Sequence, residues 1–173
     1  MNTLLFTSDG AWTISDLKPA GAPRALAILR ETAQWLQTRG QDQWQAFLEG
    51  GADIVERRMR EGVVYLVERG GEDAACVCLQ LQDPFWEGLG SDGQAAWVHS
   101  LAVRRKFTGR RLGRSMLAFV ESLAMARGRD LCRLDVVDAN VRLKAWYAAQ
   151  GYRELGVKPW QGRELRLMQK TLR

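Results

Sequence analysis

Six cations fall between residues 104 and 114 of this chain, Arg104, Arg105, Lys106, Arg110, Arg111 and Arg114, and Gly109 and Gly113 interrupt them. An apolar strand-like run, Ala95 to Val103, precedes the cluster, and an amphipathic helical pattern begins at Leu112. The cluster is therefore a turn that feeds a helix start. The first N–H groups of a helix lack internal partners, and the helix dipole adds positive character there. A pyrophosphate matches that end well. Glycines let backbone approach phosphate closely, and arginines add charge and forked donors. The plainer reading is a solvated basic turn. The sequence contains no GxxxxGK[ST], and the glycine spacing is wrong for a dinucleotide-binding turn.

Other candidate groups are sparse. His99 is the only histidine; it lies on the strand before the basic turn, and an imidazole suits a base near neutral pH. The rival reading is a satisfied core histidine. Strand alternation would put His99 and Leu101 on one face. Glu68 and Asp83 are carboxylates that could act through water instead. Tyr147 can pack as a core aromatic on the face of a helix with Leu143. One histidine and scattered acids make no metal-ligand cluster, so no metal is expected. The three cysteines, Cys76, Cys78 and Cys132, sit in apolar stretches without paired spacing, which argues for reduced buried thiols and a cytoplasmic setting.

The elements that must position these groups follow from period and punctuation. A length of 173 residues suits one domain, 1–173, and 46% hydrophobic with 26% charged residues suits a soluble globular core. Trp12 to Leu17 reads as a strand ending at Pro19. Pro23 opens a helix carrying Leu26, Leu29, Ala33 and Leu36, which Gly40 ends. Asp42 can cap a second helix through Trp44, Phe47 and Leu48, and a third runs from about Asp53 to Arg60. Val63 to Val67 and Ala74 to Leu81 form a hairpin about Gly70-Gly71. Gln82 to Gln94 is a long loop, and loops of that length are often functional. Helices at Leu112 to Ala126 and Asn140 to Gln150 flank a strand at Leu131 to Val137. Two strands close the chain, Tyr152 to Val157 and Glu164 to Thr171. The order is α/β with a mixed sheet.

The net charge of +5 fits a polyanionic partner, but the basic residues are clustered locally and lack a continuous face with stacking aromatics, so a nucleic-acid role is not expected. The N-terminus shows no basic-then-apolar signal pattern, and no apolar run approaches the roughly 20 residues that span a bilayer.

Leu101-Ala102-Val103, the basic turn and Gly109-Arg110-Arg111-Leu112-Gly113 together resemble the acetyl-CoA pyrophosphate loop of GNAT acetyltransferases, whose pattern is Q/R-x-x-G-x-G/A. Thr108 stands where Gln or Arg is usual and Arg111 where the middle Gly is usual. Arg111 then either turns outward or adds charge to the phosphates. Asn140, Tyr147 and Gly151-Tyr152 resemble the family's N-x(6)-Y-x(3)-G-F/Y stretch, and Leu167 to Leu172 its last strand. The resemblance covers almost the whole chain. It implies a mostly antiparallel central sheet of about 6–7 strands, splayed between the fourth and fifth, with about four flanking helices.

The resemblance also implies roles. Thr108, Gly109, Arg110, Arg111, Leu112, Gly113 and Arg114 would hold the pyrophosphate of acetyl-CoA. The backbone of Leu101, Ala102 and Val103 would hold its pantetheine arm and the oxyanion, and Asn140 would touch the arm. Tyr147 would be the general acid, with His99 as a candidate base. The acceptor region would hold Trp35, Trp44, Phe85 and Trp86, with Asp83, Glu87 and Asp92 nearby, which suits a cationic amine; the rival reading packs these tryptophans in the core. The implied activity is acetyl transfer from acetyl-CoA to a primary amine of a small molecule or peptide by direct attack in a ternary complex. A non-catalytic acyl-CoA-binding module is the alternative, and a homodimer is left open.

Overall fold

The computed structural model describes residues 2–173, apart from the Asp92 side chain; the part expected of that carboxylate in the acceptor region lies outside the described residues. Eight strands and five α-helices alternate among the described residues. In order they are β1 (Asn2–Thr7), β2 (Gly10–Asp16), α1 (Ala22–Thr38), α2 (Gln45–Glu49), α3 (Ala52–Glu61), β3 (Gly62–Arg69) and β4 (Glu72–Gln80). There follow β5 (Ala95–Val103), α4 (Leu112–Ala126), β6 (Leu131–Val137), α5 (Val141–Ala148), β7 (Arg153–Trp160) and β8 (Arg163–Thr171). The chain divides into two compact units, Met1–Gln80 with Ser100–Phe119, and Leu81–His99 with Val120–Arg173. The divisions at 99/100 and 119/120 fall inside β5 and α4.

In the first unit β1, β2, β3 and β4 form an antiparallel meander. Strand alternation sorts β3: Val64 and Leu66 join a core with Ala25, Leu29 and Ala33 of α1, Phe47 of α2 and Val55 of α3. Tyr65 points the other way and meets Phe119 of α4 edge to face at 5.3 Å. The α1 stripe is the expected one, and its end is built by Gly40 at φ 69. The Gln41 N–H bonds the Leu36 carbonyl and the Gly40 N–H that of Gln37, the paired closure of a left-handed C-terminus. The N-cap position of the next helix is Trp44, two residues beyond the expected Asp42. Trp44 begins α2 at φ 67 without a side-chain cap, because its ring packs edge to face on Phe47 against the core. Packing sets that start.

In the second unit β5 and β6 pair in parallel, and β6, β8 and β7 pair antiparallel. The β5–β6 ladder covers only Ala95–Trp97 against Leu131–Arg133, three pairs in strands of nine and seven residues. That short ladder is the splay, and its expected fourth and fifth strands are β5 and β6 once β1 is counted. One face of this sheet carries Trp86, Ala95, Trp97 and Leu167. On its register Cys132, Leu134 and Val136 are buried on the opposite side.

All three thiols are free and buried. Burial pushes the Cys78 and Cys132 thiols up to about 12 from 9.0, and Cys76 higher still. An unfolded thiol ionises first, so this stability is complete below pH 9 and drains as pH rises towards 12, at up to about 1.4 kcal/mol per unit for each thiol. The melting temperature should hold to about pH 8 and fall steadily above pH 9, with a shallower slope in Cys78→Ala/Cys132→Ala. A flat profile to pH 11 would contradict this assignment.

Candidate active site

The basic turn is built from a 3-10 turn, Arg105–Phe107, followed by two left-handed residues, Gly109 at φ 82 and Arg111 at φ 61. These reversals direct the chain into α4 at Leu112, and the first helical bond runs from the Ser115 N–H to the Arg111 carbonyl. Successive N–H groups bent in this way form a concavity for an anion at a helix N-terminus. Thr108 is turned inward on its own loop, its hydroxyl donating to the Arg105 carbonyl at 2.7 Å.

Four of the six cations are already engaged. Arg104 pairs with Glu31 of α1 at 2.9 Å, and the other Glu31 oxygen accepts the Arg105 N–H. The Arg105 guanidinium lies 3.8 Å above the Trp35 ring, Lys106 pairs with Glu72, and Arg110 pairs with Asp9 at 2.6 Å. Arg110, Arg69 and the Thr7 hydroxyl hold the Asp9 carboxyl far below the usual carboxylate range, the Thr7 bond contributing most. Arg111 and Arg114 are exposed and have no ion pair among the described residues. They are the charges left for a phosphate.

Arg111 takes the left-handed backbone that glycine would take at little cost, and a β-carbon there costs about 1–2 kcal/mol. Arg111→Gly should therefore stabilise the chain by up to about 1 kcal/mol after the entropy that glycine adds to the unfolded state. The same variant should weaken acetyl-CoA binding, since one uncommitted cation leaves. Thermal melting and cofactor titration read both; a destabilised variant would refute the strain assignment.

Leu101 and Val103 are half-buried while Ala102 points into the first unit's core. The alternation that placed His99 and Leu101 on one face does not carry through, because Ser100 between them sits at φ 54. A left-handed serine inside a strand breaks the period of two, and such strain concentrates at functional positions.

The second unit holds the remaining groups. Asn140 is buried and begins α5, its Oδ1 accepting the Leu143 N–H at 3.1 Å. That cap is a structural duty the sequence spacing did not reveal. Tyr147 is buried, with its ring edge to face against Trp146 at 4.9 Å and Tyr152 at 5.6 Å. Desolvation, aided by Asp135 and Cys132, pushes its phenol well above the usual tyrosine value.

His99 is buried and its Nε2 lies 3.2 Å from Asp83 Oδ2, close but outside hydrogen-bond alignment. Asp83 Oδ1 also accepts the Phe85 N–H, capping the turn Pro84–Trp86. Glu68, the other carboxylate considered as a base, pairs with Arg24 at 2.6 Å. Phe85 is half-buried against Trp160, with the Lys158 ammonium 4.6 Å from its ring centre. Trp86 is fully buried, so it packs the core instead of walling an open site. Trp35 stands under Arg105 and Trp44 packs on Phe47, which ties both to structure in the first unit.

Three positioning residues were not read from sequence. Glu31 clamps the start of the basic turn and Asp9 holds Arg110. Arg133 of β6 is 2% exposed; it donates to Gln169 Oε1 at 2.9 Å and to the Gly90 carbonyl at 2.7 Å, anchoring the long loop. Among the described residues no cluster of His, Cys, Asp and Glu could hold a metal, and no helix is long and apolar enough to cross a membrane.

Residues 25–152 match the acetyltransferase (GNAT) family. The uncharacterized N-acetyltransferase YesJ of Bacillus subtilis (strain 168) is 33% identical over 135 residues, covering 75% of this chain and 74% of YesJ. A GNAT-family acetyltransferase from Listeria monocytogenes 4b F2365 superposes with a TM-score of 0.78 at 25% identity, covering 98% of this chain and 99% of its own. The PaiA N-acetyltransferase of Thermoplasma acidophilum, solved with coenzyme A, gives 0.71 at 15% identity over 92% of this chain and 98% of its own.

Proposed function

This chain belongs to the acetyltransferase (GNAT) family and is an N-acetyltransferase; we propose that it draws its acetyl group from acetyl-CoA and passes it to a primary amine of a small molecule or peptide by direct attack in a ternary complex. The observation that carries the cofactor assignment is the turn before α4, with Gly109 and Arg111 left-handed and Arg111 and Arg114 uncommitted. The coenzyme A bound to the PaiA relative supports the same donor.

The amine lone pair attacks the thioester carbonyl. Backbone of Leu101 to Val103 steadies the oxyanion, a charge that develops only in the transition state. His99 takes the amine proton, the C–S bond breaks, and Tyr147 gives its proton to the departing thiolate. The net change is one acetyl group and one proton exchanged between amine and thiol. Asn140, at the start of α5, would contact the cofactor arm. Phe85, half-buried beside Asp83, is the aromatic surface for a cationic acceptor once Lys158 is displaced from its face.

The test is thiol release from acetyl-CoA over a panel of polyamines, aminoglycosides, amino acids and peptide N-termini, run beside a thermal-shift titration. Turnover with one amine class and a raised melting temperature support the reading. A thermal shift with no turnover on any amine would make the chain a binding module. No shift at millimolar acetyl-CoA would overturn the donor assignment itself.

A further inference from the structure

We propose that Asp83 is a positioning residue for the transfer: it sets the tautomer of His99, so that Nε2 carries the ring proton and Nδ1 presents the lone pair that accepts the proton of the amine. This rests on the reading of His99 as the base. The His99 side chain is 7% exposed and that of Asp83 is 12%, with Nε2 and Oδ2 3.2 Å apart. An ionised carboxylate only accepts, so the ring nitrogen facing it must be the donor; two lone pairs at that distance repel. The Nε2–Oδ2 contact is out of hydrogen-bond line, and catalytic hydrogen bonds commonly tighten only when substrate is bound.

Asp83 is itself held in place. Its other oxygen accepts the Phe85 N–H at 3.0 Å, so the carboxylate cannot swing away without opening the turn Pro84–Trp86. The loop beyond is tied down by Arg133, which grips the Gly90 carbonyl. The other charged groups brought to this side of the unit are Arg133, over the Trp97 ring, Lys158 at the Phe85 carbonyl, and Asp135, two residues after Arg133 on β6. Asp83 is the carboxylate that faces the imidazole among the described residues.

Asp83→Asn tests this selectively. Asparagine caps turns as well as aspartate does, so Oδ1 can keep the Phe85 N–H while the amide NH₂ faces the ring. An NH₂ donor requires Nε2 to accept, which drives the ring proton to Nδ1 and removes the lone pair from the side where it is used. Because His99 is the only histidine, ¹⁵N labelling of histidine reports one ring without assignment. The wild-type protein should show a protonated Nε2 and a bare Nδ1, and Asp83→Asn the reverse. Turnover should fall by about 100-fold or more with the acetyl-CoA KM nearly unchanged.

A wild-type ring protonated at Nδ1 overturns the proposal, and that measurement does not depend on how well the variant folds. So does an Asp83→Asn ring whose proton stays on Nε2. If both tautomers behave as stated but His99→Gln turns over at the wild-type rate, the base reading fails instead.

Discussion

Tyr147→Phe should lower kcat by about 10²- to 10⁴-fold while leaving acetyl-CoA affinity within about twofold, which is the range expected when one general acid is removed. The substitution deletes a single oxygen. The ring keeps its edge contacts with Trp146 and Tyr152, so the local packing has little to relax, and the melting temperature should barely move. The size of the rate effect comes from the leaving group. A thiolate expelled beside a buried phenol takes its proton from that phenol. The same burial favours the loaded donor, because desolvation holds the phenol above its ordinary value of 10.0. In stability the sign is the opposite of helpful. The unfolded tyrosine ionises from about pH 10 while the folded one does not, so Tyr147 joins the cysteines in losing stability as pH rises. A variant that keeps full turnover would remove Tyr147 from the mechanism, and one that lost cofactor affinity with kcat intact would make it a binding residue.

How far the sequence led can be judged from particular residues. The bounds of β5 and β6 agree with the sequence reading because each is a mostly apolar run bounded by turn residues, and the helix at Leu112–Ala126 agrees because its stripe is regular. Strand β1 lies outside the sequence reading: Leu4 and Phe6 are exposed on it, so no clean burial alternation marks it, and the Asp9–Gly10 turn that joins it to β2 is the local signal that could have found it. The six cations of the basic turn were legible as a cluster, but their partners were not. Arg110 meets Asp9 across 101 positions and Arg104 meets Glu31 across 73, and nothing local in the sequence announces which charges will be neutralised. Ser100 is a similar case. Serine has no left-handed signature, so the broken alternation between His99 and Leu101 could be found only in the fold. Asn140 carried two readings at once, and the cap at the start of α5 was the one overlooked.

Arg133→Ala should cost about 4 kcal/mol, and for a chain of this length that corresponds to a melting temperature lower by roughly 8–16 °C. The side chain is 2% exposed on β6 with its guanidinium 5.5 Å from the Trp86 ring and 5.9 Å from that of Trp97. Alanine opens a cavity among two fully buried tryptophans and leaves the Gly90 carbonyl and Gln169 Oε1 without this donor. Each orphaned acceptor costs about 1–3 kcal/mol in addition to the lost packing. Arg133→Met separates these terms, because it refills much of the volume but restores neither hydrogen bond; it should recover about half the loss. Arg133→Lys should do no better, since a point charge on a flexible stem cannot serve two acceptors as a planar fork does. The kinetic consequence follows from the tether. Gly90 lies in the same loop as Asp83, so a loosened Gly90 lets the carboxylate drift from His99, and kcat should fall in Arg133→Met even where the fold survives. Calorimetry and steady-state rates on the three variants read both effects. An Arg133→Met enzyme with wild-type kcat would confine Arg133 to stability and leave Asp83 held by its Phe85 bond alone.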